Sequence, residues 1–274
     1  MKTCFNTITA GGDKPLETIL DQCGACGYDG VEMEFGAIDA YIARNSKDAL
    51  KAHLQREGLQ AAAIMAFPFF AFNKEQQDEH LKNVDRLAAM AKFLGSTTLL
   101  CFICDAPPEG MPIAEAIAVA GRSAQRYGEV SGQFGVSCAL EPIGMSPFMP
   151  GPRQAMAVAG ASGSPYVGVM MDTFHYYKSG IGLEEVKALP KDRLLIVHVN
   201  DCPGLPLEEL TDAHRVYPGK GALPLVETFR ILKNQIGYQG FLSIEIFNQS
   251  YWQDDPANVV KSAKAGLDSV LAAM

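Results

Sequence analysis

Short apolar runs alternate along the chain with longer stretches in which apolar residues recur every three or four positions. The runs fall at 2–8, 30–35, 60–66, 97–103, 136–142, 167–172, 194–200 and 241–247. Most are nearly unbroken, as in Leu194-Leu195-Ile196-Val197, the pattern of strands covered on both faces. The stretches at 15–26, 46–57, 74–94, 112–134, 152–161, 182–188, 223–236 and 256–272 read as amphipathic helices. Within 81–94, for example, Leu81, Val84, Leu87, Ala88, Ala91 and Leu94 form one apolar stripe. Ser46 is placed to cap the second helix, and Pro112 and Pro256 suit first turns.

Strand followed by helix, eight times over, predicts a parallel α/β sheet closed into a (β/α)8 TIM barrel. No linker or low-complexity tract interrupts it, so residues 1–274 are expected to form a single domain. The competitor is an open doubly wound sheet. Gly11-Gly12 follows the first strand, but without the GxGxxG spacing that such a sheet favours.

Polar groups that are costly to bury stand at the C-terminal ends of four of these runs: Glu141, Asp172, His198 and Glu245. In a barrel that end carries the active site, and strands five to eight are neighbours on one arc of its rim. A lone acid at a strand end is usually a helix cap or an ion-pair partner. Four such groups on four adjacent strands point to convergence on one divalent cation, with three oxygen donors and one nitrogen donor.

Composition narrows the partners. A formal net charge of −8 argues against nucleic acid, whose phosphates need clustered Lys and Arg. No apolar run approaches the ~20 residues of a membrane span, and Met1-Lys2-Thr3-Cys4-Phe5-Asn6 lacks a signal-peptide core, so a cytoplasmic protein is expected. Seven scattered cysteines read as reduced thiols. The pairs Cys23/Cys26 and Cys101/Cys104 fall on a helix and on a strand with its end, and are read as small buried apolar residues rather than a zinc site.

The stretches Leu140-Glu141-Pro142, Met171-Asp172-Thr173-Phe174-His175, His198-Val199-Asn200-Asp201, Arg215-Val216-Tyr217-Pro218-Gly219-Lys220-Gly221 and Ser243-Ile244-Glu245 resemble the xylose isomerase-like TIM barrels. That superfamily holds sugar isomerases and epimerases together with endonuclease IV. Within it the chain is most similar, over its full length, to the 2-keto-myo-inositol (inosose) isomerase family. Cys4-Phe5-Asn6, Leu210-Thr211-Asp212 and the stretch from Phe247 to Trp252 also fit.

The resemblance implies a metal-dependent isomerase that moves a proton between adjacent carbons through an enediolate. Glu141, Asp172, His198 and Glu245 would hold one divalent metal, with manganese or zinc favoured over magnesium or cobalt. Glu141 and Glu245 would also be the catalytic carboxylates. His175, Arg215, Asn6 and Trp252 would contact a small sugar or cyclitol. Superfamily members are often dimers or tetramers, so a homo-oligomer is allowed.

Ketohexose 3-epimerases carry a further Glu six residues past the first ligand, where this chain has Pro147. Endonuclease IV is His-rich, whereas only His175 and His198 of five histidines occupy motif positions here. The competing readings are a ketose 3-epimerase, a hydroxypyruvate-type isomerase or an inosose dehydratase, and, from another class, a barrel that binds metal or sugar without turnover.

Other residues carry weaker signals. Arg215 has a competing use as an ion-pair partner of Asp212 or Asp201. His53 and His80, on helices, read as surface residues. Pro218-Gly219-Lys220-Gly221 is too short to claim as a phosphate loop. Of Glu32 and Glu34 on strand two, one is expected to point into the barrel and the other outward. Phe67, Phe69, Phe70 and Phe72 are candidates either for a pocket wall or for the core.

Overall fold

The computed structural model describes residues 1–274. Eight parallel strands close one barrel in sequential order: β1 (Lys2–Asn6), β2 (Gly30–Glu34), β3 (Gln60–Phe69), β4 (Thr98–Ile103), β5 (Ser137–Glu141), β6 (Val167–Asp172), β7 (Leu194–Val199) and β8 (Phe241–Ile244). Closure is made by β8 against β1, with Lys2 opposite Phe241 and Phe5 opposite Ile244. The expected TIM barrel is the fold observed, and the open sheet is excluded.

The strands are buried on both faces. One face, with Val31, Leu99, Val169 and Leu242, packs into a large core beneath the helices. The other fills the barrel with a smaller cluster that includes Cys4, Ala63, Leu100, Met170 and Ile196. This two-sided burial explains the unbroken apolar runs.

The outer layer begins with α1 (Leu16–Ala25), α2 (Phe35–Arg44), α3 (Lys47–Arg56), α4 (Lys74–Leu94) and α5 (Ile113–Gly132). It continues through α6 (Pro152–Ala161), α7 (Thr173–Lys178), α8 (Leu183–Lys187), α9 (Leu225–Arg230), α10 (Gln249–Trp252) and α11 (Pro256–Ala272). Ser46 Oγ accepts from Ala49 N at 3.0 Å, capping α3 as expected. Gly95, at φ 88°, closes α4 in the left-handed conformation that favours glycine. The helix expected at 223–236 is α9 followed by a π-helical turn at Ile231–Ile236.

Three helices were not anticipated: α2, α7 and α10. The strand expected at 2–8 stops at Asn6, whose side chain accepts from Ile8 N at 3.1 Å and starts a short turn. β3 runs to Phe69, three residues past its expected end. All seven cysteines are free; Cys23 and Cys101 are buried as expected, but Cys26 is only partly buried and Cys104 is exposed. No helix is long and apolar enough to cross a membrane.

Candidate metal centre

Each of the four strand-end groups reaches the same point by its own route. Glu141 ends β5 and Asp172 ends β6. His198 lies opposite Asp172 on β7, and Ser243 lies opposite His198 on β8. Glu245 stands one residue past β8, held in line by its backbone N–H on Val199 O at 3.1 Å. One side-chain donor atom from each of the four falls within 4.8 Å of all the others, and all four residues are buried.

His198 Nδ1 lies 3.0 Å from Glu245 Oε2 and 3.7 Å from both Glu141 Oε1 and Asp172 Oδ2. It is fully buried, and it makes no hydrogen bond. A ring nitrogen without a partner, facing three carboxylates, fits a divalent cation, and the O3N donor set suits a hard or borderline ion. On its other side His198 Nε2 donates to Glu32 Oε2 at 2.9 Å, and Ser243 Oγ donates to the same oxygen at 2.6 Å. Glu32 is therefore the inward member of the Glu32/Glu34 pair. Glu34 shares the same face by alternation rather than the opposite one, but it ends the strand and caps α2, accepting from Ala37 N at 2.9 Å.

Asp172 has a second task. Its Oδ1 accepts from His175 N at 2.9 Å, so the side chain caps α7 and swings His175 over the cluster. Asn200 Nδ2 donates to Asp172 Oδ2 at 3.2 Å and to Glu245 O at 3.3 Å, while Thr173 Oγ1 donates to Asn200 Oδ1 at 2.7 Å.

Arg215, only 1 % exposed, ties the centre together. Its Nη1 donates to Asp172 Oδ2 at 2.8 Å and to Glu245 Oε2 at 2.9 Å. Its Nη2 donates to His175 Nε2 at 3.1 Å and to Asp212 Oδ1 at 2.6 Å. The guanidinium also lies over the rings of Phe174 and Phe247, at 4.8 and 5.3 Å. The competing ion pair with Asp212 and the placement at the centre are thus both observed. Asp201 is engaged elsewhere, accepting from Cys202 N, Gly219 N and Leu223 N. That accounts for the Pro-Gly-Lys-Gly turn without a phosphate.

Burial and charge set the protonation states. Burial alone would depress Arg215, but Asp172, Glu245 and Asp212 outweigh it and keep the guanidinium firmly charged. Burial would raise Asp172, but Arg215 and His175 outweigh it and hold the carboxyl well below its usual range. Burial pushes Glu141 up to about 7, with the nearby His198 opposing the rise and the Glu245 charge adding to it. Burial lowers His175, partly offset by Asp172. His198 is raised: burial opposes its charge, and Glu245 and Glu32 prevail.

A cavity of about 290 Å³ opens beside the cluster, lined by Glu141, His175, Asp212, Arg215 and Glu245 on its polar side. Met65, Ala66, Phe102, Ile143 and Phe247 supply the apolar wall. Two of the expected substrate contacts lie elsewhere in this structure. Asn6 is fully buried and donates to Glu245 Oε1 at 3.3 Å, so it braces that carboxylate. Trp252 stands behind Phe247, ring centroids 6.4 Å apart, and does not line the cavity.

Of the four phenylalanines at the end of β3 and just past it, Phe67 and Phe69 are core residues, and Phe70 and Phe72 are partly buried. Phe67 and Phe69 pack on Tyr127, and Phe72 packs on Phe148. His53 is not a surface residue: it is 5 % exposed, with Nε2 2.8 Å from Asp21 Oδ1. Asp21, His53 and Glu57 come together there, but Arg56 already pairs with both acids.

The fold and site define a (β/α)8 barrel with a buried three-carboxylate, one-imidazole cluster at the C-terminal rim. The chain belongs to the xylose isomerase-like TIM barrel family, whose model matches residues 20–270. It is 26% identical over 278 residues to inosose isomerase of Halalkalibacterium halodurans, covering 96% of this chain and 94% of that one. It is also 26% identical to 3-dehydroshikimate dehydratase of Pseudomonas putida, covering 99% of this chain but 41% of the longer relative. Among solved structures, the IolI protein with a bound zinc atom superposes with a TM-score of 0.90 at 24% identity, covering 100% of this chain and 99% of that one.

Proposed function

We propose that the chain is a divalent-metal-dependent isomerase acting on 2-keto-myo-inositol (inosose) or a related keto-polyol. The observation that carries this reading is the unpartnered His198 Nδ1 facing Glu141, Asp172 and Glu245 beside a cavity that both glutamates line. The inosose isomerase relatives support the substrate, and the zinc of the IolI structure supports the metal.

Glu141, Asp172, His198 and Glu245 would hold the ion. When bound, it supplies Lewis-acid stabilisation of the negative charge that develops on the substrate's carbonyl oxygen. The chain's own residues do the rest. Isomerisation removes a proton from the hydroxyl-bearing carbon next to the carbonyl and returns one at the former carbonyl carbon, while the hydroxyl proton passes to the former carbonyl oxygen. Glu141 and Glu245, from β5 and just past β8, supply carboxylates for these transfers. Arg215 stays cationic and adds positive potential beside the developing enediolate. His175 accepts from Arg215 at Nε2 and carries its proton on the buried Nδ1, so it orients the guanidinium beside the cavity. The apolar wall limits water around the exposed carbanion equivalent.

The relationship to a dehydratase raises a second reading, because elimination starts from the same proton abstraction. The cavity favours a neutral substrate over an anionic one. Arg215 is its one basic side chain of the Lys/Arg type, and three carboxylates already engage it. The reading is tested by loading the protein with zinc or manganese and following inosose, ketohexoses, hydroxypyruvate and 3-dehydroshikimate by NMR. Interconversion of inososes, lost in His198→Ala together with bound metal, supports the proposal. Water loss from any of them would move the assignment to a dehydratase.

A further inference from the structure

Glu32 is fully buried inside the barrel, on β2, away from the four strands that carry the cluster. A carboxylate there is costly unless its oxygens are satisfied. Its Oε2 accepts two hydrogen bonds, from His198 Nε2 and Ser243 Oγ, and its Oε1 has no partner at all. The neighbours offer little compensation: Cys4 and Ala63 lie beside it, in a barrel interior filled by apolar residues. Burial and the Glu32 charge together keep the Cys4 thiol protonated. A half-satisfied buried carboxylate is poor material for stability.

Its position is nevertheless specific. Val31 and Met33 on either side of it pack into the core beneath the helices, so alternation along β2 turns Glu32 into the barrel, beside Asn6 of β1. The carboxylate meets the only imidazole of the cluster on the nitrogen that faces away from Glu141, Asp172 and Glu245. An acceptor on Nε2–H leaves the Nδ1 lone pair free and makes it more basic.

We propose that Glu32, supported by Ser243, is a positioning residue that holds His198 in the Nε2–H tautomer and aims Nδ1 at the metal. The inference rests on the metal-dependent reading of the same site. Glu32 touches neither the cavity nor the three carboxylates, and it acts through His198.

The test compares wild type with Glu32→Gln, Glu32→Ala and Ser243→Ala. Three quantities are read: the zinc dissociation constant by chelator competition, the His198 Nε2–H signal in 1H–15N spectra, and the melting temperature of the metal-free protein. Glu32→Gln keeps size and an acceptor but removes the charge. The expected result is zinc binding weakened by roughly 10–100-fold, at least as much in Glu32→Ala, with the Nε2–H signal lost or broadened. A purely structural residue would move the melting temperature and leave zinc affinity unchanged in whatever remains folded, and that result would overturn the proposal. Should both Glu32 variants fail to fold, Ser243→Ala decides by the same two zinc and NMR readings. Tight zinc binding by wild type and variants alike defeats this inference alone, whereas no zinc binding by wild type defeats the metal reading beneath it.

Discussion

Arg215 Nη2 donates to His175 Nε2 at 3.1 Å, so one buried cation fixes which nitrogen of the neighbouring imidazole carries the proton. The same guanidinium neutralises Asp172 and Glu245 through its other nitrogen. Replacing it with an uncharged chain leaves two buried carboxylates short of their cation. Arg215→Met is expected to destabilise the metal-free protein by about 3–5 kcal/mol. Urea unfolding with and without saturating zinc should show a smaller loss in the loaded form, because the ion supplies the missing positive charge. Equal losses in both forms would contradict the shared electrostatics.

Arg215→Lys is a sharper probe of geometry. An ammonium cannot reproduce the planar fork that reaches Asp172, Glu245, His175 and Asp212 together. Turnover per bound metal should fall by at least about 100-fold, as expected when an oxyanion-stabilising group is displaced. Steady-state kinetics on the metal-loaded variant measure it.

Asn200 links β6, β7 and the end of β8, donating to Asp172 and Glu245 O and accepting from Thr173. Asn200→Ala removes these buried hydrogen bonds together. A stability loss of about 1–3 kcal/mol is expected by chemical denaturation.

Gly221 packs without room for a methyl group. A Cβ there would run into Asp201 Oδ1 and Cys202 O, and would lie 2.6 Å from Cys202 N. Gly221→Ala should therefore disturb the turn that Asp201 organises beside Arg215, lowering stability by about 1–3 kcal/mol. A thermal melt unchanged from wild type would show that the turn gives way freely.

Cys104 is the exposed thiol, yet partial burial first and the Asp105 charge second push it up to about 11 from an ordinary 9.0. Raising a thiol pKa removes thiolate, so alkylation at pH 8 should run about 100-fold slower than for an ordinary cysteine and keep rising with pH toward 11. Peptide mapping after timed iodoacetamide treatment would read it. A rate that levels off near pH 9 would contradict the shift.

The barrel was legible because both faces of each strand are buried, which leaves a nearly unbroken apolar run in the sequence. The four-residue cluster was legible because a charged group ending such a run is costly to bury alone, and four on adjacent strands can share one ion. The rest was hidden for local reasons. α2 starts on Glu34 immediately after β2, so strand and helix share a boundary with no intervening turn residue. α7 is hidden in the same way, because Asp172 ends a strand, caps a helix and faces the cluster at once.

Three extra residues on β3 carry Phe67 and Phe69 into the core, and the aromatic wall comes instead from Phe102 and Phe247. The inward turn of Glu32 follows from alternation with Val31 and Met33, but its bond to His198 joins strands far apart in the sequence, which no local pattern shows. Asn6 and Trp252 were placed near the right region, but the structure puts a carboxylate partner on one and Phe247 in front of the other.

Solvent deuterium exchange into 2-keto-myo-inositol, followed by NMR with zinc- or manganese-loaded protein, tests the proposed chemistry most directly. Deuterium is expected at the carbon next to the carbonyl, appearing with isomerisation, and is expected to be lost in Glu245→Gln protein that still binds metal. Absence of exchange from fully loaded wild type, with this substrate and with related keto-polyols, would contradict the proposed proton transfer.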